Sequence, residues 1–300
     1  MKRVCVRSFG RRSLPVVAIG VVLCALSATT SGSLLAQDIE INTVGPSRGT
    51  NVFYTTSSGG PNGVELFAIE VRGSNITARD IGAMRGGDCA TLALSRSGTL
   101  YSMCGALFGD QQLATVDRKT GQATLFGVKV PGLAVMAMAF APDGVLYAIG
   151  DCNPDPNAHF ECTAGSDPNF NSLYRVNKAT GAFTRVGGTG AAQFFMDLAF
   201  DRDGKLFGVT TTLNPSTVPA ILYRINLATG KATKTVNLVG SNYVMGLAFG
   251  RDGRLYATDF FQNPGLYLID LKTGFETTIA ALPFGFSSGL ELANPGDDER

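Results

Sequence analysis

Three observations predict an all-β fold: a unit that recurs five times along the chain, 37 glycines in 300 residues, and no long Ala/Glu/Lys/Leu-rich helical stretch after residue 36. A unit of four short strands cannot bury both faces by itself, so such units stack around an axis. The expected architecture is a β-propeller of four-stranded blades. Five blades is the leading count and six the runner-up.

The N-terminal segment is read apart from the blades. Residues 2–12 are basic and carry no acid, Leu14 to Ala28 is an apolar run, small residues follow, and the first acid is Asp38. A charged start, a short apolar stretch and small residues describe a secretory signal peptide, and the run is too short to span a bilayer comfortably. The expected organisation is a signal over 1–36, cleaved after Ser27 or Ala36, and one propeller domain over 37–300. The mature chain is then periplasmic or secreted, with no integral membrane span. Arg11-Arg12 leaves the export route open between the general secretory and twin-arginine systems. Charged residues make up 16% of the chain, and removing the five N-terminal cations leaves 20 basic against 24 acidic residues. A disordered chain and a basic nucleic-acid surface are both excluded as main themes.

The first half of each repeat is an apolar strand, an Asp-Gly type turn and a second strand. It reads Met245-Gly246-Leu247-Ala248-Phe249 with Asp252-Gly253 and Leu255-Tyr256, and the copies at Met196 and Met136 match closely. A fainter copy begins at Ala90, and the most degenerate keeps only Ser47-Arg48-Gly49 and Val52-Phe53. The turn glycines Gly49, Gly98, Gly144, Gly204 and Gly253 are spaced by 49, 46, 60 and 49 residues. The second half is a strand, a Thr-Gly turn and a short strand, as in Leu266-Tyr267-Leu268-Ile269-Asp270 with Thr273-Gly274. Gly289-Leu290-Glu291-Leu292 matches an innermost strand with no blade behind it. It is expected to complete the N-terminal blade and leave no open edge. Ile39–Val44 is the extra strand that a sixth blade would use.

The pattern of Leu-Ala-Phe, Asp-Gly and Leu-Tyr, then Leu-Tyr-x-Ile-Asp/Asn with Thr-Gly, resembles extracytoplasmic bacterial propellers of the NHL-repeat, YVTN-type and gluconolactonase-like families, over residues 47–296. The resemblance implies the architecture. Those families include binding scaffolds, lactonases and lyases, so it does not imply one activity.

Four cysteines follow the signal, and none forms a CxxC pair. Cys89 and Cys104 flank the Ser97-Gly98 turn, and a ladder about that turn pairs residues whose numbers sum to 193, which sets the two opposite each other. Cys152 and Cys162 are expected to close the long loop of the third blade. The loops between second and third strands, and between blades, are expected on one face, with the Asp-Gly and Thr-Gly turns on the other. The first set is long and varied, and variable loops on a rigid scaffold are where binding resides. Its candidate binding residues are Tyr243, Phe260 and Phe261. Asp88, Asp151, Asp197 and Asp259 join them as acids at strand ends near the channel mouth.

No Ser-His constellation is present, and His159 is the one histidine. Asp151-Cys152-Asn153-Pro154-Asp155 alternates oxygen ligands as a calcium loop does. Pro156 stands where such a loop needs glycine, and Cys162 where it needs Glu. No cofactor is expected, with calcium as the alternative. Two functions remain: a non-catalytic scaffold binding a protein, peptide or glycan through its long-loop face, or a metal-dependent hydrolase or lactonase at the top of the channel. The second needs three or more converging ligands.

Overall fold

The computed structural model describes residues 49–60, 63–106, 111–130, 133–152, 170–211, 218–241, 243–260 and 264–294. The chain divides into two compact units, Met1–Val44 and Gly45–Arg300, and every described residue belongs to the second. The signal segment, Ile39–Val44, His159, Cys162 and Phe261 lie outside the described residues.

The described residues form five four-stranded antiparallel sheets and no helix. Blade 1 contains β1 (Thr50–Gly60), β2 (Gly63–Arg72) and β3 (Asn75–Ala83). Blade 2 contains β4 (Ala93–Leu94), β5 (Leu100–Gly105), β6 (Gln111–Val116) and β7 (Ala123–Val130). Blade 3 is β8 (Leu133–Phe140), β9 (Leu146–Cys152), β10 (Ser172–Val176) and β11 (Phe183–Gly188). Blade 4 is β12 (Phe194–Phe200), β13 (Leu206–Thr211), β14 (Ile221–Ile225) and β15 (Ala232–Asn237). Blade 5 is β16 (Val244–Phe249), β17 (Leu255–Asp259), β18 (Gly265–Ile269) and β19 (Glu276–Ala281). The last strand, β20 (Ser287–Leu292), pairs with β1 and supplies the innermost strand of blade 1. Each inner strand packs on the next, and β20 packs on both β16 and β4, so the ring is closed at five blades.

The apolar core is not central but divided among the five interfaces between blades. Strand alternation does this, because successive side chains leave opposite faces of a sheet. On β9, Leu146 and Ala148 pack in the cluster shared with blade 2, and Tyr147 and Ile149 pack in the cluster shared with blade 4. Equivalent clusters join blades 1 and 2, 4 and 5, and 5 and 1.

Local chemistry explains the two turn signatures. At Asp-Gly, Gly144 adopts φ +87° and its N–H donates to Ala141 O. At Thr-Gly, the Asp117 carboxylate accepts the N–H groups of Lys119 and Thr120, and Gly121, at φ +77°, closes the turn onto Asp117 O. Asn177, Asn226 and Asp270 cap the corresponding turns in the same way.

The Thr-Gly turns do more than reverse the chain. A Cβ on Gly121 would stand 2.2 Å from Gly82 O, and one on Gly230 would stand 2.3 Å from Gly187 O. Each turn therefore docks on the fourth strand of the preceding blade. Backbone bonds run beside it, from Ala123 N to Met84 O and from Ala232 N to Thr189 O.

Candidate functional site

Inner strands do not run regularly to the channel mouth. The ladders of β8, β12 and β16 with their second strands each gain one residue, at Met136, Met196 and Met245. β20 gains Gly289, one motif position later, at φ +62°. In blade 2 the ladder reads Ala93↔Tyr101 and Leu94↔Leu100, one residue off the expected register. It is recovered near the mouth, where Asp88 N donates to Gly105 O. This bulge brings Cys89 and Cys104 together, and they form a disulfide with Cα atoms 4.2 Å apart. The Cys152–Cys162 pairing falls outside the described residues.

The bulges re-aim side chains into the mouth. A cavity of about 120 Å³ there is lined by Met136, Met245, Ala90, Val64, Phe260, Asp88 and their neighbours. Beside it runs an aromatic row. Tyr243 stacks on Phe260 with centroids 6.3 Å apart, and Phe260 meets Phe286 at 5.0 Å. All three rings are half-buried. Phe286 holds φ +52°, and its carbonyl accepts the N–H of Ser58. A bulky residue in that region is costly, and the surrounding bonds hold it there.

The four aspartates do not share one site. Asp88 is exposed at the cavity rim. Asp151 is buried at the end of β9, opposite Ala134. Asp259 is buried, and its carboxylate accepts the N–H of Gly265 at 2.8 Å and the hydroxyl of Tyr267 at 2.7 Å, pinning the ends of the 260–264 connection. Asp197 lies inside the ring. Its oxygens accept the N–H groups of Leu198 (2.9 Å), Leu247 (2.7 Å) and Leu290 (2.9 Å), so one carboxylate links β12, β16 and β20. Burial holds its pKa well above the ordinary carboxylate range, with the three donors pulling the other way. Among the described residues, no group of three or more His, Cys, Asp or Glu is placed to hold a metal ion.

Two acids escaped the sequence reading. Glu291 is two positions beyond Gly289 on β20, at the motif position that Ala139, Ala199 and Ala248 hold on β8, β12 and β16. Burial raises its pKa well above the usual value, and the Asp197 charge adds to this. It lines a second cavity of about 340 Å³ at the Asp-Gly end, with Arg202, Arg251 and Asn294. Period-two counting from Gly289 finds Glu291 from sequence. Glu276 is buried where blade 5 meets blade 4. Its carboxylate accepts Ser241 N at 2.7 Å, and burial pushes its pKa up to about 7, with the Asp259 charge as a smaller cause. No local pattern marks Glu276, because its burial depends on the neighbouring blade.

A ring of five four-stranded blades, fastened by its final strand, with an apolar mouth at one end, places the protein among the five-bladed β-propellers. The chain belongs to the family described as a repeat of unknown function, DUF6923, whose pattern matches residues 132–289. No curated protein matches it. Among solved structures it is similar to a gluconolactonase from Xanthomonas campestris, at 14% identity and TM-score 0.48, covering 83% of this chain and 88% of that one. A Bacteroides thetaiotaomicron protein of unknown function is 15% identical at TM-score 0.48, over 80% of this chain and 70% of that one. An inactive variant of virginiamycin B lyase from Staphylococcus aureus, solved with quinupristin, is 15% identical at TM-score 0.41, over 78% and 71%.

Proposed function

We propose that the protein is an exported, non-catalytic binding propeller whose long-loop face takes a peptide segment of a partner protein. One aliphatic side chain of the peptide enters the mouth, and a basic residue meets Asp88. The observation that carries this reading is the mouth itself. The cavity of about 120 Å³ is walled mainly by Met136, Met245, Phe260 and Val64, has one exposed carboxylate at its rim, and is flanked by the Tyr243–Phe260–Phe286 row. Apolar pockets with few polar groups and adaptable methionines suit peptide side chains. Export is supported by the basic, apolar and small-residue order of the first 36 residues and by the Cys89–Cys104 bond.

The test is parallel screening of the purified protein on a peptide array and a glycan array, repeated with Phe260→Ala and Asp88→Asn. Peptides joining an aliphatic and a basic residue should be retained. Phe260→Ala should weaken them by about tenfold or more, as loss of an interface anchor does. Asp88→Asn should weaken only those with the basic residue. Retention of glycans alone would put a sugar in the site instead. Peptide binding indifferent to both variants would overturn the reading.

A further inference from the structure

Seven methionines occur in the chain, and all but Met1 are described. Met84, Met103 and Met138 are fully buried in the cores between blades. The other three occupy one structural position. Met136, Met196 and Met245 are the bulged residues on the inner strands of three consecutive blades, β8, β12 and β16. Met196 and Met245 belong to one packed cluster, and Met136 packs against it. Met136 and Met245 also line the mouth cavity. In the other two blades the equivalent motif position holds the small residues Ala90 and Ser288, which also line the cavity.

We propose that Met136, Met196 and Met245 form a soft-metal site that takes one Cu(I) ion on three thioether sulfurs. Packing alone does not require methionine here. Branched or aromatic residues fill adjacent inner-strand positions, as Val135, Phe195, Val244, Leu198 and Leu247 do, all buried. The thioether is unbranched and polarisable, and it is never protonated in water. Three of them on successive inner strands offer a neutral set that selects a soft monovalent ion and rejects Zn²⁺, Ca²⁺ and Mg²⁺, which need nitrogen, thiolate or oxygen donors. Cys89, the sulfur beside the mouth, is tied up in its disulfide. The exposed carboxylate of Asp88 at the rim supplies a negative charge near the entry. Binding involves no electron transfer, since the ion enters and leaves as Cu(I).

This inference is independent of the peptide reading, and each can fail without the other. The test is an anaerobic titration of the purified protein, its free thiols first alkylated, with Cu(I) held by a chromophoric competitor chelator. The expected result is uptake of one equivalent, no competition by Zn²⁺, and only sulfur neighbours in the copper absorption-edge spectrum. The triple variant Met136→Leu/Met196→Leu/Met245→Leu conserves volume closely enough to keep the fold and should lose uptake, whereas Met103→Leu keeps it. Absence of uptake by the native protein, or uptake retained by a folded triple variant, overturns the proposal. Methyl-labelled methionine in the native protein gives a second readout should the triple variant fail to fold. Ag(I), a surrogate that does not change oxidation state here, should shift three methyl resonances. Shifts of none, or of the core methionines as well, overturn the proposal equally.

Discussion

Glu276 and Asp197 show two ways a buried carboxylate is held in this ring. The pKa of Glu276 is raised from 4.5 to about 7, so the native state binds its proton more tightly than the unfolded chain does. Its contribution to stability is greatest below about pH 4.5, declines as pH rises to about 7 and is flat above, because the unfolded chain releases the proton first. Glu276→Gln keeps the shape without the charge. Urea unfolding across pH 4–8 should show a shallower fall than in the native protein, and a gain of up to about 3 kcal/mol at pH 8. A variant curve parallel to the native one would show that Glu276 is not the group responsible. Asp197 and Glu291 are raised in the same direction, so some slope should persist in the variant. Asp197→Ala makes the opposite case. It strips the acceptor from Leu198, Leu247 and Leu290 N–H groups in a closed channel. The expected cost is about 3 kcal/mol or more, with each stranded donor contributing about 1–3 kcal/mol. An unfolding midpoint matching the native protein would show that water reaches those donors.

Turns and bulges carry most of what distinguishes one element from another. Gly144 and Gly121 both sit at positive φ, but their surroundings differ. Nothing lies within 4 Å of a Cβ on Gly144, whereas one on Gly121 meets Gly82 O at 2.2 Å. Gly144→Ala should therefore cost only the conformational preference, about 1 kcal/mol. Gly121→Ala adds the displacement of blade 1 from blade 2, for about 3 kcal/mol in all. Equal losses in a denaturation series would remove the docking role of the Thr-Gly turn. The turn motifs were legible in the sequence because each is written within six residues: a capping Asp or Asn, a Thr and a Gly. The docking was not, because the strand that receives the turn lies some forty residues upstream. Bulges were equally hidden. Ala93↔Tyr101 departs by one from the register that counting from the Ser97-Gly98 turn predicts, since counting assumes an unbroken ladder. The aromatic character of the long-loop face could be read directly from Tyr243 and Phe260. Their order along one row, and the methionines beside them, depend on strands distant in sequence.

At the scale of the whole molecule, five interface cores share the burial, and one strand from the C-terminal end fastens the ring. The five-fold count and this fastening were both legible, because Gly289-Leu290-Glu291-Leu292 repeats an inner-strand pattern without a following blade. A chain ending at Phe286 would keep nineteen of the twenty strands yet lose the inner partner of β1 and one of the three donors to Asp197. Such a chain should unfold over a broad range instead of one sharp transition and should associate through the bared edge of β1. Size-exclusion chromatography and a melting curve check this, and a sharp-melting monomer would mean that the four intact blades are self-sufficient. The same seam sets a clock. Phe53 waits for Leu292, so nearly the whole chain must be made before the first blade has its innermost strand. Blades 2 to 5 have all four of their strands before that moment, but the ring cannot lock. The last strand made is the clasp, and the circle stays open until it arrives.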